Sequence, residues 1–426
     1  MTTRKKWFRL DNAALIFPAV MGRKWSNAFR MCATLSEPVD PEILVKAAED
    51  LRPRFPTFFV RLKTGAFWYY LEEFPGPVSV RQDYAYPLTF MNRREISKSC
   101  IRILYYQERI AVEFFHSVTD GTGGEVFMRN LVARYLELKY GIAIEKSGNL
   151  VDLSEPPKEE ELRDSFQFHS SGYPETRKEA VTFRLRGTPE RDNYRNLITG
   201  VLPTEKLLAV AHSYGVTVSA FLAAVMAEAL IGQQRSFVPE RRERPVKVTI
   251  PVNLRKLYHE NTFRNFVLTV EVGVDPKQGE YSFEELLSQM SHQIQSEAVP
   301  QKMAGKIAAN VEPQQIFLVR IMPLFIKNLI LRMVYRNSGE CHGCINISNL
   351  GQTSLPENAM PYIRRFEFIV GLQRSYPNNC SVLSFGGNTY VNIIRNIRET
   401  GLEQRFFSRL VELGVPVEIE STERGR

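Results

Sequence analysis

Cysteine is scarce in this sequence: five residues in 426, at Cys32, Cys100, Cys341, Cys344 and Cys380, an odd number and widely scattered. That pattern excludes a disulfide framework and predicts reduced thiols in a cytoplasmic protein. Zinc-ligand spacing is missing as well. Cys341-His-Gly-Cys344 has no second ligand pair, the nearest other cysteine is Cys380, and no His-x-x-x-His occurs, so no metal site is expected. His169, His212, His259 and His292 fall in linker, helix or loop contexts without partners. No Gly-x-x-x-x-Gly-Lys-Ser/Thr is present to cradle a nucleotide's phosphates, and no Gly-x-Ser-x-Gly to raise a hydrolase serine. An RNP-like aromatic-glycine box, a basic arm and zinc-finger spacing are all absent, which argues against nucleic acid as the partner.

Long uncharged apolar runs are absent too. Gln315 to Arg336 comes nearest, rich in Ile, Leu, Phe and Met, but it carries Arg320, Lys327, Arg332 and Arg336, with Pro323 near its middle. A spanning helix wants about 20 apolar residues. The segment therefore reads as a buried or domain-covering helix, with a basic amphipathic surface helix in peripheral membrane contact as the alternative. The opening Met-Thr-Thr-Arg-Lys-Lys-Trp resembles the start of a signal peptide. Ala13 to Met21 is nevertheless short, follows Asp11 and Asn12, contains Pro18 and leads to no cleavage site.

Apolar residues make up 44% of the chain and aromatic ones 11%, ample for buried cores, and 27 Phe with 17 Tyr favour sheet. A formal charge of +8 suits an anionic small molecule or surface. A single core serves roughly 250–300 residues, so two domains are expected. The composition shifts at 146–195, where Pro156-Pro157, Glu159-Glu160-Glu161, Pro174 and Pro189 mark a linker or crossing segment between 1–145 and 196–426. Ala28–Leu35 reads as a strand. Asp40-Pro41 opens a helix to about Leu51, by an N-cap and a first-turn proline. Thr57–Leu62 with Ala66–Leu71, and Ile101–Tyr106 with Arg109–Phe115, read as hairpins, and Gly121 to about Tyr140 as a helix. Val218–Ile231 is almost wholly apolar and is expected to be buried. Mixed strands and helices in both halves predict an α+β fold of mixed α/β layers.

The chemistry gathers where Phe114-Phe115-His116 ends a strand and Ser-Val-Thr-Asp120-Gly121-Thr122-Gly123-Gly124 follows. Imidazole titrates near pH ~6.5, so a histidine fixed at a strand end suits proton transfer. Asp120 reads equally well as an N-cap, and Gly121 as the residue that permits a tight turn. This stretch resembles the active-site motif of the chloramphenicol-acetyltransferase-like superfamily, nearest its alcohol acetyltransferase branch. Val216-Thr-Val-Ser-Ala-Phe-Leu-Ala-Ala, Ile250-Pro-Val-Asn-Leu-Arg255 with Asn265-Phe266, Ile347-Ser-Asn-Leu-Gly351 and the opening Leu10-Asp-Asn-Ala resemble it in the same order. Two departures are Ser384-Phe385-Gly386-Gly387 in place of an Asp-Phe-Gly-Trp-Gly box, and Phe115-His116 in place of the paired histidines of condensation domains.

The resemblance implies two chloramphenicol-acetyltransferase-like subdomains with the active site in a tunnel between them. It implies His116 as the catalytic base, acyl-CoA as co-substrate with no bound cofactor, and an alcohol as the acceptor of an acetyl or short acyl group. Asp120, named with His116 among the catalytic residues, would pair with Arg255, and Arg255 and Gly121 would be the structural support of the site. Asn349 would donate a hydrogen bond at the substrate, or else belong to an ordinary turn. Arg235, Arg241, Arg242, Arg244 and Lys247 would meet the phosphates of CoA, or else form a solvated face. A monomer is expected. The alternatives are amide formation from a separate carrier protein's thioester, and a non-catalytic binding member.

Overall fold

The computed structural model describes residues 6–22, 27–146, 148, 150–170, 180–336, 342–373 and 376–422. Local signals act as the sequence predicts. Asp40 accepts hydrogen bonds from the backbone N–H groups of Glu42 and Ile43, and Pro41 starts the helix Pro41–Leu51, which buries Leu44, Ala47, Ala48 and Leu51. Ile101–Tyr106 and Arg109–Phe115 pair antiparallel around Gln107, the residue in a left-handed conformation. The earlier hairpin also forms, shifted toward the C-terminus, as Val60–Thr64 against Tyr69–Glu73.

Three sheets occur among the described residues. A five-stranded sheet runs Ile363–Val370, Ala28–Leu35, Arg109–Phe115, Ile101–Tyr106 and Val80–Gln82. A seven-stranded sheet runs Val267–Val274, Val246–Asn253, Ile345–Gln352, Asn378–Phe385, Asn388–Arg395, Asn196–Pro203 and Glu418–Ser421. A small third sheet joins Trp7–Arg9, Tyr69–Glu73 and Val60–Thr64. The helices Pro41–Leu51 and Gly121–Tyr140 pack over the first sheet, while Val218–Arg235 and Phe283–Glu297 pack over the second. Each large sheet has its own hydrophobic core, so the architecture is α+β with two halves.

The halves are not successive stretches of chain. Ile363–Val370 leaves the second half, pairs antiparallel with Ala28–Leu35 and forms an edge of the first sheet. Its Phe366 and Phe368 enter the first core. The strands on either side of this excursion, Ile345–Gln352 and Asn378–Phe385, lie parallel and adjacent in the second sheet. A boundary at 195/196 thus describes one crossing, and the excursion after Gln352 is another.

The apolar stretch from Gln315 to Arg336 departs from the buried helix expected of it. It breaks at Ile316 and again at Met322-Pro323, giving the helices Phe317–Ile321 and Leu324–Val334. Most of its large apolar side chains are exposed. The inward face mixes apolar and polar groups: Leu324 enters the first core, and Lys327 is buried and donates to the carbonyls of Phe67 and Arg320.

Candidate active site

His116 sits just beyond the strand Arg109–Phe115, its backbone N–H donating to the carbonyl of Asn27. Phe17 stacks on the imidazole with ring centroids 4.5 Å apart, and Phe29 meets it edge-on at 5.3 Å. The ring is therefore clamped between two aromatic side chains, half-buried rather than sealed. Its Nδ1 lies 3.0 Å from Oδ1 of Asn265. The amide of Asn265 has a fixed orientation, because its Nδ2 donates to Oδ2 of Asp11 at 3.1 Å and to the carbonyl of His116 at 2.9 Å. With its oxygen facing the ring, Asn265 accepts from Nδ1–H, which leaves the lone pair on Nε2. In this tautomer the imidazole is a base at Nε2.

Asp120 caps the helix Gly121–Tyr140 by accepting from the backbone N–H of Gly123. Its other oxygen accepts from the backbone N–H of Phe266 at 2.8 Å and from Nη1 of Arg255 at 2.9 Å. Arg255 also donates to the carbonyls of Thr262 and Arg264. The carboxylate is 4% exposed and the guanidinium 10%, so the pair is almost wholly removed from water. One oxygen of Asp120 thus caps the helix, while the other holds the 253–266 segment against the histidine loop. Thr119 adds a second tie, donating from Oγ1 to the carbonyl of Phe263 at 2.6 Å.

The glycines after Asp120 are needed for space, not for turn geometry. None of Gly121, Gly123 or Gly124 adopts a left-handed φ, so the tight-turn role given to Gly121 is corrected. A Cβ on Gly121 would lie 3.0 Å from a methyl of Leu350 and 3.2 Å from Phe368. A Cβ on Gly123 would collide with the backbone carbonyl of Phe263 and with Thr119. Backbone from the two halves meets there directly.

Ser117 is buried and donates from Oγ to the carbonyl of Ala14, away from the ring. Asn349 lies in the strand Ile345–Gln352, where the register shifts; one N–H of its Nδ2 donates to Oγ of Ser219 at 3.1 Å and its Oδ1 accepts from the N–H of Gly351 at 2.8 Å, pinning the strand to a helix. Arg235 of the basic cluster pairs with Glu243 and Glu280. It also lies sixteen residues along the helix Val218–Arg235 from Ser219, about 24 Å by helical rise. Cys341 lies outside the described residues. Cys344 is buried, and burial pushes its thiol up to about 11.

Asn265, Asp11 and Phe17 hold the histidine directly or through one contact, yet sequence reasoning gave none of them a role. The only signals were the quoted Leu10-Asp-Asn-Ala and Asn265-Phe266 segments. Burial raises the carboxyl of Asp11 above its ordinary range, against the opposing pull of Arg264. A cavity of about 920 Å³ abuts this layer, lined among others by Leu10, Leu15, Trp68, Asp164 and Arg264.

No protein-family model and no curated protein matches the chain. Solved structures do. Polyketide synthase associated protein 5 from Mycobacterium tuberculosis is 14% identical, covering 99% of this chain and 98% of its own, with a TM-score of 0.59. The trichothecene 15-O-acetyltransferase of Fusarium sporotrichioides is 12% identical over 96% of this chain and 94% of its own, at 0.60. TRI101 of F. graminearum, solved with coenzyme A and T-2 mycotoxin, is 11% identical over 96% and 97%, at 0.62. The shared architecture spans nearly the full length of each, and by it the protein has the chloramphenicol-acetyltransferase-like fold.

Proposed function

We propose that the protein transfers an acyl group from acyl-CoA to the hydroxyl of a small-molecule acceptor, with His116 as general base. The observation that carries this reading is the tautomer of His116: Asn265 accepts from Nδ1–H, so Nε2 can take a proton. In the reaction, Nε2 removes the hydroxyl proton as the oxygen attacks the thioester carbonyl. Collapse of the tetrahedral intermediate breaks the C–S bond, and the imidazolium returns its proton to the departing CoA thiolate. The fold is one on which the Fusarium enzyme transfers acetyl to oxygen and TRI101 holds coenzyme A.

Transfer is direct. The Ser117 hydroxyl is buried against Ala14, and the thiol of Cys100 is pushed up to about 12 by burial, so neither is disposed to act as nucleophile. His116→Ala lowers kcat by about 10²–10⁴-fold with the melting temperature little changed, whereas Ser117→Ala keeps most activity. Initial-rate plots intersect when acyl-CoA and acceptor are varied together. Wild-type turnover in His116→Ala, or parallel plots with an acyl adduct on the protein, would refute the assignment.

A further inference from the structure

The helices Phe317–Ile321 and Leu324–Val334 are built inside out for a chain surrounded by water. Leu324–Val334 turns the ammonium of Lys327 inward, where it sits over the ring of Trp68 and donates to the carbonyls of Phe67 and Arg320. Burial lowers the pKa of Lys327. Asn328 and Arg332 add ties to Tyr69 and to the carbonyl of Ala19. These contacts and the buried Leu324 hold the helix down, while Phe325, Leu329 and Met333 point outward at 75%, 58% and 53% exposure. Phe317–Ile321 buries no side chain, and its Phe317 and Leu318 are 70% and 69% exposed. A contiguous apolar face of this kind calls for a cover.

Charge says what covers it. From Pro313 to Gly339 the sequence contains no acidic residue, and with Lys327 turned inward its exposed charged groups are Arg320, Arg332 and Arg336. Two copies packed through this face about a two-fold axis would bring like charges together. An anionic bilayer surface matches both properties at once, taking apolar side chains below its headgroups and basic ones among them. The face does not span. No single helix among the described residues is long and apolar enough, and the eleven residues of Leu324–Val334 reach about 16 Å against a hydrocarbon core of about 30 Å. Exposed Trp7 and Phe67 line the neighbouring cavity together with Arg320, placing aromatic side chains at the edge of the same face.

We propose that this face docks the protein flat on an anionic phospholipid membrane, with the helices Phe317–Ile321 and Leu324–Val334 lying in the interface. The purified full chain is mixed with vesicles of phosphatidylcholine and phosphatidylserine, or of phosphatidylcholine alone, and sedimented. The chain is expected to partition onto the mixed vesicles, less onto neutral ones, and less as salt is raised. Phe317→Glu with Phe325→Glu is expected to weaken partitioning by at least about tenfold, with circular dichroism and melting temperature unchanged because both side chains are exposed. Arg320→Gln with Arg336→Gln is expected to remove the preference for anionic vesicles. Absence of binding to mixed vesicles, or binding unaffected by the glutamate pair, overturns the proposal. So does a dimer in vesicle-free solution that the glutamate pair dissociates, since a second copy would then be the cover. None of these readouts depends on acyl transfer.

Discussion

At the scale of single residues, the candidate site separates into the His116 imidazole, the groups that orient it, and the groups that hold its loop. His116, Asp120 and Arg255 were named through the resemblance of their short segments to a known family, and the structure brings Asp120 and Arg255 into contact. Asn265 and Asp11 were given no role, since their contacts join positions 149 and 254 residues apart. Nothing within either segment indicates that partner. The Asp120–Arg255 pair makes a sharp stability prediction. Removing one member of a nearly buried ion pair strands the other, which costs about 3–5 kcal/mol. Asp120→Asn is expected to lose that much in urea unfolding, and a double-mutant cycle with Arg255→Met is expected to show coupling. Additive effects at the two positions would mean that the contact contributes nothing.

At the scale of elements, the helix start after Asp120 is limited by how closely two backbones approach. Gly123 faces the carbonyl of Phe263, which cannot move aside without shifting its whole segment, whereas Gly121 faces the flexible end of Leu350. Gly123→Ala is therefore expected to lower stability by about 1–3 kcal/mol or more, and Gly121→Ala by clearly less. Thermal melts of the two variants side by side test the ordering. The helix Pro41–Leu51 and the hairpin ending in Phe115 matched their sequence signals because caps and alternation act over a few residues. The stretch from Gln315 to Arg336 shows the limit of such reasoning. Its apolar content was readable, but neither the break at Pro323 nor which face turns inward was, because Lys327 and its partners Phe67 and Trp68 come from different parts of the chain.

At the scale of the molecule, the two cores are tied by several links, among them the excursion strand Ile363–Val370 and the Asp120–Arg255 pair, and the buried pair of Arg54 with Glu161 ties the crossing segment to the first half. Halves joined this way are expected to unfold together. Denaturation followed by fluorescence and by circular dichroism is expected to give one coincident transition, and two separated transitions would show the halves to be independent. Sequence by itself determined many of the strands and helices, among them Ala28–Leu35, Pro41–Leu51 and the hairpin ending in Phe115, and the mixed class, because periodicity and caps are set by neighbours a few positions apart. Tertiary structure alone decided the exchange of a strand between sheets, the tautomer of His116 and the outward turn of the apolar helices. Each of those depends on groups more than a hundred positions distant, whose meeting no local pattern specifies.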